Sequence, residues 1–303
     1  MFGFSAIVTF AGTWEKLKNP VRTRLADSFS EAASVFKSRS FRIFIGIYLS
    51  GQCAMDFVSG MAIYYVDEVL NGYGSGYLIM LMGVLMVSQL LGMLVFTPIM
   101  TRTSKRTTIL IGAPIRIVST LGLLAFSYEG APIIPILALA AGIGIGNAAT
   151  LTSIFAILAD MADVDELITS TSRPGIVSGM ATFARKISAG LSVWIIGILL
   201  SLVGYDAKLA QSGIRQALFT QRGIAMIFII IPVVLVAFLL LFGYIFPITN
   251  KEFTVVKQDI ARRRGEDDSV ATDEEKRILE RATGFAYEDL WKKSNEHRIH
   301  NHK

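Results

Sequence analysis

Six stretches of twenty or more residues, nearly free of charge, lie at about 43–66, 77–100, 107–127, 132–158, 175–203 and 223–247. They restrict the fold more than any other feature of the chain. A helix rises about 1.5 Å per residue and a bilayer's hydrocarbon core is about 30 Å thick, so each run is long enough to cross it. The residues are 52% apolar and 17% charged, and the charges sit in blocks between the runs. That pattern predicts an all-α, polytopic membrane protein. The single cysteine, Cys53, excludes an internal disulfide. The formal charge of +5 is carried at the ends of apolar runs, where Lys and Arg set topology. No nucleic-acid partner is expected.

The start, MFGFSAIVTFAG, has no basic region before it and no small-residue cleavage pattern after it, so it does not read as a signal peptide. Its dozen residues reach about 18 Å, short of a full crossing. We expect residues 1–14 to be the end of a truncated preceding span. Residues 15–42 carry Lys16, Lys18, Arg22, Arg24, Lys37, Arg39 and Arg42, with Leu25, Phe29, Ala32 and Phe36 at helical spacing. This predicts an amphipathic linker, read as a solvated connector in preference to a lipid-recognition element, because such basic segments chiefly set topology. Arg102, Lys105 and Arg106 follow the second span and Arg262, Arg263 and Arg264 the last, whereas residues 67–76 and 128–131 contain no Lys or Arg. The positive-inside rule then places 15–42, 101–106, 159–173 and the tail 250–303 in the cytoplasm of a multi-pass cell-membrane protein, with the six-helix domain at 43–249. Lys208, Arg215 and Arg222 run against this on the outer side.

A charge near the bilayer centre costs roughly 2.5–3.5 kcal/mol on insertion scales, and chains that keep one generally use it. Lys186 lies eleven residues beyond Gly175, about 16 Å deep. Steps of three and four from Gly175 collect Gly179, Thr182, Lys186, Gly190, Val193 and Gly197 into one narrow face of small and polar residues. Such a face is expected to point Lys186 into a cavity or at a counter-charge. Arg185 is turned about 100° away. The other polar residues inside spans are Gln52, Asp56, Gln89 and Arg116. Asp56, about 21 Å in from Arg42, is a candidate partner of Lys186 or Arg116, or faces solute itself.

Between the fourth and fifth spans lies Asp160-Met-Ala-Asp163-Val-Asp165-Glu166. Read as an acidic loop, it has two chemistries. Spaced aspartates hold Mg²⁺ in membrane-embedded transferases, but those enzymes need a second aspartate-rich helix end, which this chain does not show. The milder reading caps the next helix and pairs with Arg173 or basic residues of neighbouring loops, as a latch that opens and closes. Other patterns carry less. Gly144-Ile-Gly146-Asn-Ala-Ala149 matches a dinucleotide fingerprint but sits inside an apolar run with no strand before it. Gly142 and Gly146 instead make a close-packing face, with Asn147 bonding across helices. Thr272 and Glu275 form a capping box before a stripe of Ile278, Leu279, Ala282 and Phe285. His297, His300 and His302 read as solvated tail, and no metal site is expected.

Taken together, Ala159-Asp160-Met-Ala-Asp163-Val-Asp165-Glu166, then Arg173, Lys186 and Leu202-Val-Gly204-Tyr205, with Ala62-Ile-Tyr64-Tyr65-Val-Asp-Glu-Val-Leu before them, resemble the carboxyl-terminal half of the glycoside–pentoside–hexuronide:cation symporters. These form the melibiose-permease-like branch of the major facilitator superfamily. The likeness covers about residues 1–260. It departs where Gly175 replaces a common glutamate and Val164 a common aromatic residue. The resemblance implies a twelve-span carrier in which Lys186 and Thr182 help to couple cation to sugar. It also implies that the main acidic cation and sugar residues lie in an amino-terminal half that this chain lacks. The expected function is therefore secondary transport, not enzymology: sugar:cation symport by alternating access, with a sugar or glycoside substrate and Na⁺, H⁺ or Li⁺ as coupling ion and no other cofactor. Lys186, Thr182 and Asp56 are the coupling candidates, and Asp160, Asp163, Glu166 and Arg173 the cytoplasmic gate. The competing expectation is a non-transporting remnant or an assembly partner of another carrier.

Overall fold

The computed structural model describes residues 32–292, and among them every regular element is helical. Six helices are long and apolar enough to span a membrane. They are α1 (Arg39–Tyr64, prolonged by a π-helical turn, Tyr65–Val69), α2 (Tyr77–Arg102), α3 (Lys105–Gly122), α4 (Ile133–Thr169), α5 (Pro174–Leu202) and α6 (Leu218–Ile245). Two further helices, α7 (Asn250–Arg264) and α8 (Asp273–Thr283), follow in the tail. The sequence-predicted truncated span at 1–14, residues 15–31 of the linker and the histidine cluster lie outside the described residues.

Local chemistry accounts for the helix ends. The Ser38 hydroxyl accepts from the Phe41 amide and the Ser104 hydroxyl from the Thr107 amide, capping α1 and α3. Pro174 opens α5, where its missing N–H costs nothing. In consequence α1 begins at Arg39, within the basic stretch assigned to the linker.

The acidic segment is a correction. It is not a loop: α4 continues for 37 residues to Thr169, so Asp160, Asp163, Asp165 and Glu166 occupy its last turns. No Gly or Pro lies between Asn147 and Thr169 to stop it. Cations from neighbouring elements offset carboxylates that would otherwise oppose the negative end of the helix. Only residues 170–173 connect α4 to α5, starting from Ser170 in the left-handed region at φ 55°.

Lipid tails are as apolar as leucine, so close packing and polar contacts must hold the spans together. Helix α4 packs along α2 and α3, while α1 packs against α6 and α5. At the α3–α4 crossing the backbones touch. A Cβ on Gly146 would lie 2.7 Å from the Gly112 carbonyl oxygen and 2.8 Å from the Arg116 backbone nitrogen. The close-packing face read from Gly142 and Gly146 is present. By contrast α2 and α5 leave broad apolar faces open, with Ile79, Leu94, Val193 and Leu202 all exposed.

The tail folds back onto the ends of α1 and α4. Leu279 and Ala282 of α8 are buried in the same core as Phe44, Ile157 and Met161. The Ser40 hydroxyl donates to the Ala282 carbonyl, and the Trp291 amide donates to the Leu167 carbonyl at 2.9 Å. Beneath them the fully buried Asp259 accepts from Arg263 Nε at 2.7 Å and from the Tyr287 hydroxyl at 2.9 Å. Both tail helices start with capping boxes, Thr249 with Glu252 and Thr272 with Glu275.

Glu275's carboxyl is held below the usual carboxylate range, first by the Thr272 amide and then by the Arg262 guanidinium. A lowered folded value means that this contribution is present above the unfolded value of about 4.3 and is lost as pH falls through the folded one. Glu275 lies near the surface, so the effect is small. Thr272→Ala is expected to cost about 1 kcal/mol of cap. Amide protection factors in residues 273–283, taken against the intrinsic exchange rate at each pH, should therefore fall in that variant at pH 7, and in the native chain on acidification. Unchanged protection factors in both cases would show that the cap contributes nothing.

Candidate functional site

Helix α5 carries two adjacent cations with different surroundings. Arg185 reaches α1, where its Nη1 and Nη2 donate to Asp56 Oδ2 and Oδ1 at 2.7 Å each, a two-pronged pair. Sequence reasoning proposed Lys186 or Arg116 as the partner of Asp56, and the structure assigns it to Arg185. Both side chains remain about a quarter exposed, at 25% and 23%. One residue is a rotation of about 100° on a helix, and that step separates the residue facing α1 from the one facing out.

Lys186 faces out. It and Thr182 are exposed, and a Cβ added at Gly175, Gly179, Gly190 or Gly197 would meet nothing within 4 Å. The expected glycine-lined face exists, but it does not aim Lys186 at a counter-charge within this bundle: no ion pair to Lys186 occurs among the described residues. Small side chains there leave room above the α5 backbone, and the lysine stands at the middle of that open strip.

A second polar group, whose side chains the sequence reading named singly, with Asn147 expected to bond across helices, threads four helices. Arg116 of α3 is almost fully buried and donates through Nη1 to Asn147 Oδ1 at 2.9 Å and to the Gly51 carbonyl of α1 at 3.4 Å. Asn147 of α4 in turn donates to Gln89 Oε1 of α2 at 2.9 Å. The Nε and Nη2 atoms of Arg116 have no hydrogen-bond partner. Because the guanidinium can only donate, Asn147 must turn its oxygen to Arg116 and its amide to Gln89. Gln89 thus meets Asn147 with its oxygen and not its NH₂ group. Gln89, Arg116 and Asn147 were each visible as polar residues inside spans; that they bond to one another was not.

At the end where α4 and α5 meet the tail, each carboxylate of the gate set except Asp163 has its own cation. Asp160 pairs with Lys105 at the start of α3, and Glu166 pairs with Arg264 of α7. Arg173 binds Asp165 through Nε at 2.9 Å and Nη2 at 2.8 Å. Asp163 lines a cavity of about 240 Å³ with Lys257 and Arg264. Asp165, Lys105 and Arg264 were absent from the sequence-based gate; Asp165 belongs to the last turns of α4 itself, and packing of α3 and of the tail brings Lys105 and Arg264 there. These pairings occupy every carboxylate on which the Mg²⁺ reading of the acidic segment rested except Asp163.

The opposite end has a cup of about 310 Å³ lined by Tyr64, Asp67, Glu68, Tyr73 and Tyr205. The Tyr73 hydroxyl donates to Glu68 at 2.5 Å, and burial followed by this carboxylate pushes the phenol's pKa up. Arg215, one of the cations that ran against the charge rule, pairs with Glu129 of the neighbouring connection.

Comparison with known proteins agrees with this architecture. Over 219 residues the chain is 28% identical to the glucuronide carrier protein homolog of Escherichia coli K12, covering 68% of this chain and 44% of that one. Over 277 residues it is 24% identical to an uncharacterised symporter of Synechocystis, covering 87% and 49%. A candidate sulfoquinovose importer of Escherichia coli K12 is 31% identical over 121 residues, covering 40% and 24%. The chain thus spans about half the length of the first two relatives. A family model described as MFS/sugar transport protein matches residues 1–250. With six spanning helices, their polar interior and that match across most of its length, the chain belongs to the MFS/sugar transport protein family.

Proposed function

We propose that this chain forms one wall of the path of an alternating-access sugar:cation symporter, and that its substrate is an anionic sugar or glycoside. The observation that carries the reading is Lys186: an intramembrane cation on an open strip of α5, without a counter-charge among the described residues. A cation so placed complements a carboxylate or sulfonate brought by substrate, or a cation-site carboxylate on a facing half. The relatives named for a glucuronide and for sulfoquinovose, both anionic sugars, favour the first chemistry. Carriers of this kind bind at the bilayer midplane between two halves. The open faces of α2 and α5 are where an amino-terminal half would dock. Thr182, one turn before Lys186, supplies a hydroxyl to the sugar, and the Asp56–Arg185 pair lies beside the path as the coupling element for Na⁺, H⁺ or Li⁺. At the cytoplasmic side of a cell-membrane carrier, Asp160, Asp163, Glu166 and Arg173 close the gate, joined by Asp165, Lys105 and Arg264. The tail is then also cytoplasmic.

The test is uptake of labelled glucuronide, sulfoquinovose and a neutral galactoside by cells devoid of their own carriers. The chain is expressed alone and with the amino-terminal half of the glucuronide relative. Uptake of the anionic sugars by the pair is the expected result. Lys186→Ala should lower it about tenfold or more, the loss of one charge-assisted hydrogen bond worth about 1.5–3 kcal/mol. If Lys186→Ala couples sugar to cation as well as the native residue does, its proposed role is wrong. If the assembled pair takes up no sugar, the chain is a non-transporting assembly partner.

A further inference from the structure

A groove of about 610 Å³ runs between α1 and α5 with α6 at its floor, apart from the open strip that carries Lys186. Its walls include Ile45, Leu49 and Phe57 of α1 and Phe183, Ile187 and Leu191 of α5. The last three are half exposed, so the groove opens sideways. Its polar side chains include Cys53 and Ser188, which bond to each other and offer little to a sugar. Large side chains on both walls also suit it poorly to a packed helix, which needs small residues for close approach. A flexible hydrocarbon chain fits both conditions.

The groove also has a direction. From Ile45 to Phe57 it follows α1 for twelve residues, about 18 Å, close to the depth of a single leaflet. Phe36 lies at its tail-side end. There Arg42 donates through Nη1 to the carbonyls of Phe36 and Lys37, each at 3.3 Å. Arg42 precedes Ile45 by three positions and Leu49 by seven, which puts it on the same stripe of α1. Arg42 and Lys37 are both exposed. A hydrocarbon slot one leaflet deep therefore ends at two cations at headgroup height. We propose that the groove is a binding site for an anionic phospholipid, with an acyl chain against α1 and α5 and the phosphate at Arg42 and Lys37. The basic stretch before α1 thus does more than set topology: its last charges select the lipid that fills the slot.

Native mass spectrometry of the full chain, released from detergent with equimolar phosphatidylglycerol and phosphatidylcholine of the same acyl chains, tests this directly. Each basic residue near a membrane surface is worth roughly a fivefold preference for anionic lipid, so two should give about 25-fold retention of phosphatidylglycerol. The variant Lys37→Gln with Arg42→Gln should bind both lipids equally. Ile187→Trp, at the exposed rim, should lower retention of both by filling the slot, and its circular dichroism reports that the fold is kept. Equal retention of the two lipids by the native chain overturns the proposal. So does a preference that survives the double glutamine variant, or a groove occupied by a second copy and seen as a dimer. None of these readouts depends on transport.

Discussion

Gly146→Leu is expected to be the most damaging single substitution in the bundle. At this crossing the obstacle is backbone: a Cβ at 146 would stand 2.7 Å from the Gly112 oxygen and 2.8 Å from the Arg116 backbone nitrogen. Helices α3 and α4 must separate to admit a side chain. Overpacking commonly costs about 1–3 kcal/mol where side chains can shift, and backbone cannot. Separation also pulls Asn147 from Arg116, and losing a bond to a charged group adds about 1.5–3 kcal/mol. A total of about 4 kcal/mol corresponds to roughly a thousandfold shift toward the unfolded chain. Thermal aggregation in detergent measures it, with Gly179→Leu as the control, since a Cβ there meets nothing within 4 Å. A melting shift no larger than the control's would show that the α3–α4 contact is not what holds these spans.

The second large effect concerns Asp56 and Arg185. Removing one member of a fully buried pair costs about 3–5 kcal/mol, because the other charge is left without a partner. Here both side chains are about a quarter exposed, so solvent screening reduces the expected cost of Asp56→Ala to about 2 kcal/mol. Arg185→Ala should cost a similar amount, and the double variant less than the sum, which a double-mutant cycle of melting temperatures reads out. Additive losses would mean that the pair makes no energetic contribution. The cycle also separates structure from transport. If the double variant regains stability yet moves sugar without dependence on the cation, Asp56 belongs to coupling. If it regains both, the pair is a strut between α1 and α5.

Which features were readable from the residues follows from how far each signal reaches. The six spans, the close-packing glycines of α4 and the Thr272 capping box are local patterns, set by hydropathy, side-chain volume and a hydroxyl at one helix end. The end of α4 misled because charge usually marks a loop between spans. Here Lys105, Arg173 and Arg264 arrive from three other elements and let a helix continue through four carboxylates. Lys186 stood out as a costly charge, and it does lie on a glycine strip. Whether it or Arg185 turns toward Asp56 depended on the rotation of α5 about its axis.

The residues alone therefore determined an all-helical membrane bundle, one close-packing glycine face and the intramembrane charges that need an explanation, because these follow from side-chain volume and the cost of placing polar groups in hydrocarbon. Only the tertiary structure decided the pairings. Asp56 with Arg185, Asp165 with Arg173, Glu166 with Arg264 and the thread from Arg116 to Gln89 join residues between 8 and 129 positions apart. A charge fixes that a partner is needed; helix rotation and packing fix which one comes within reach.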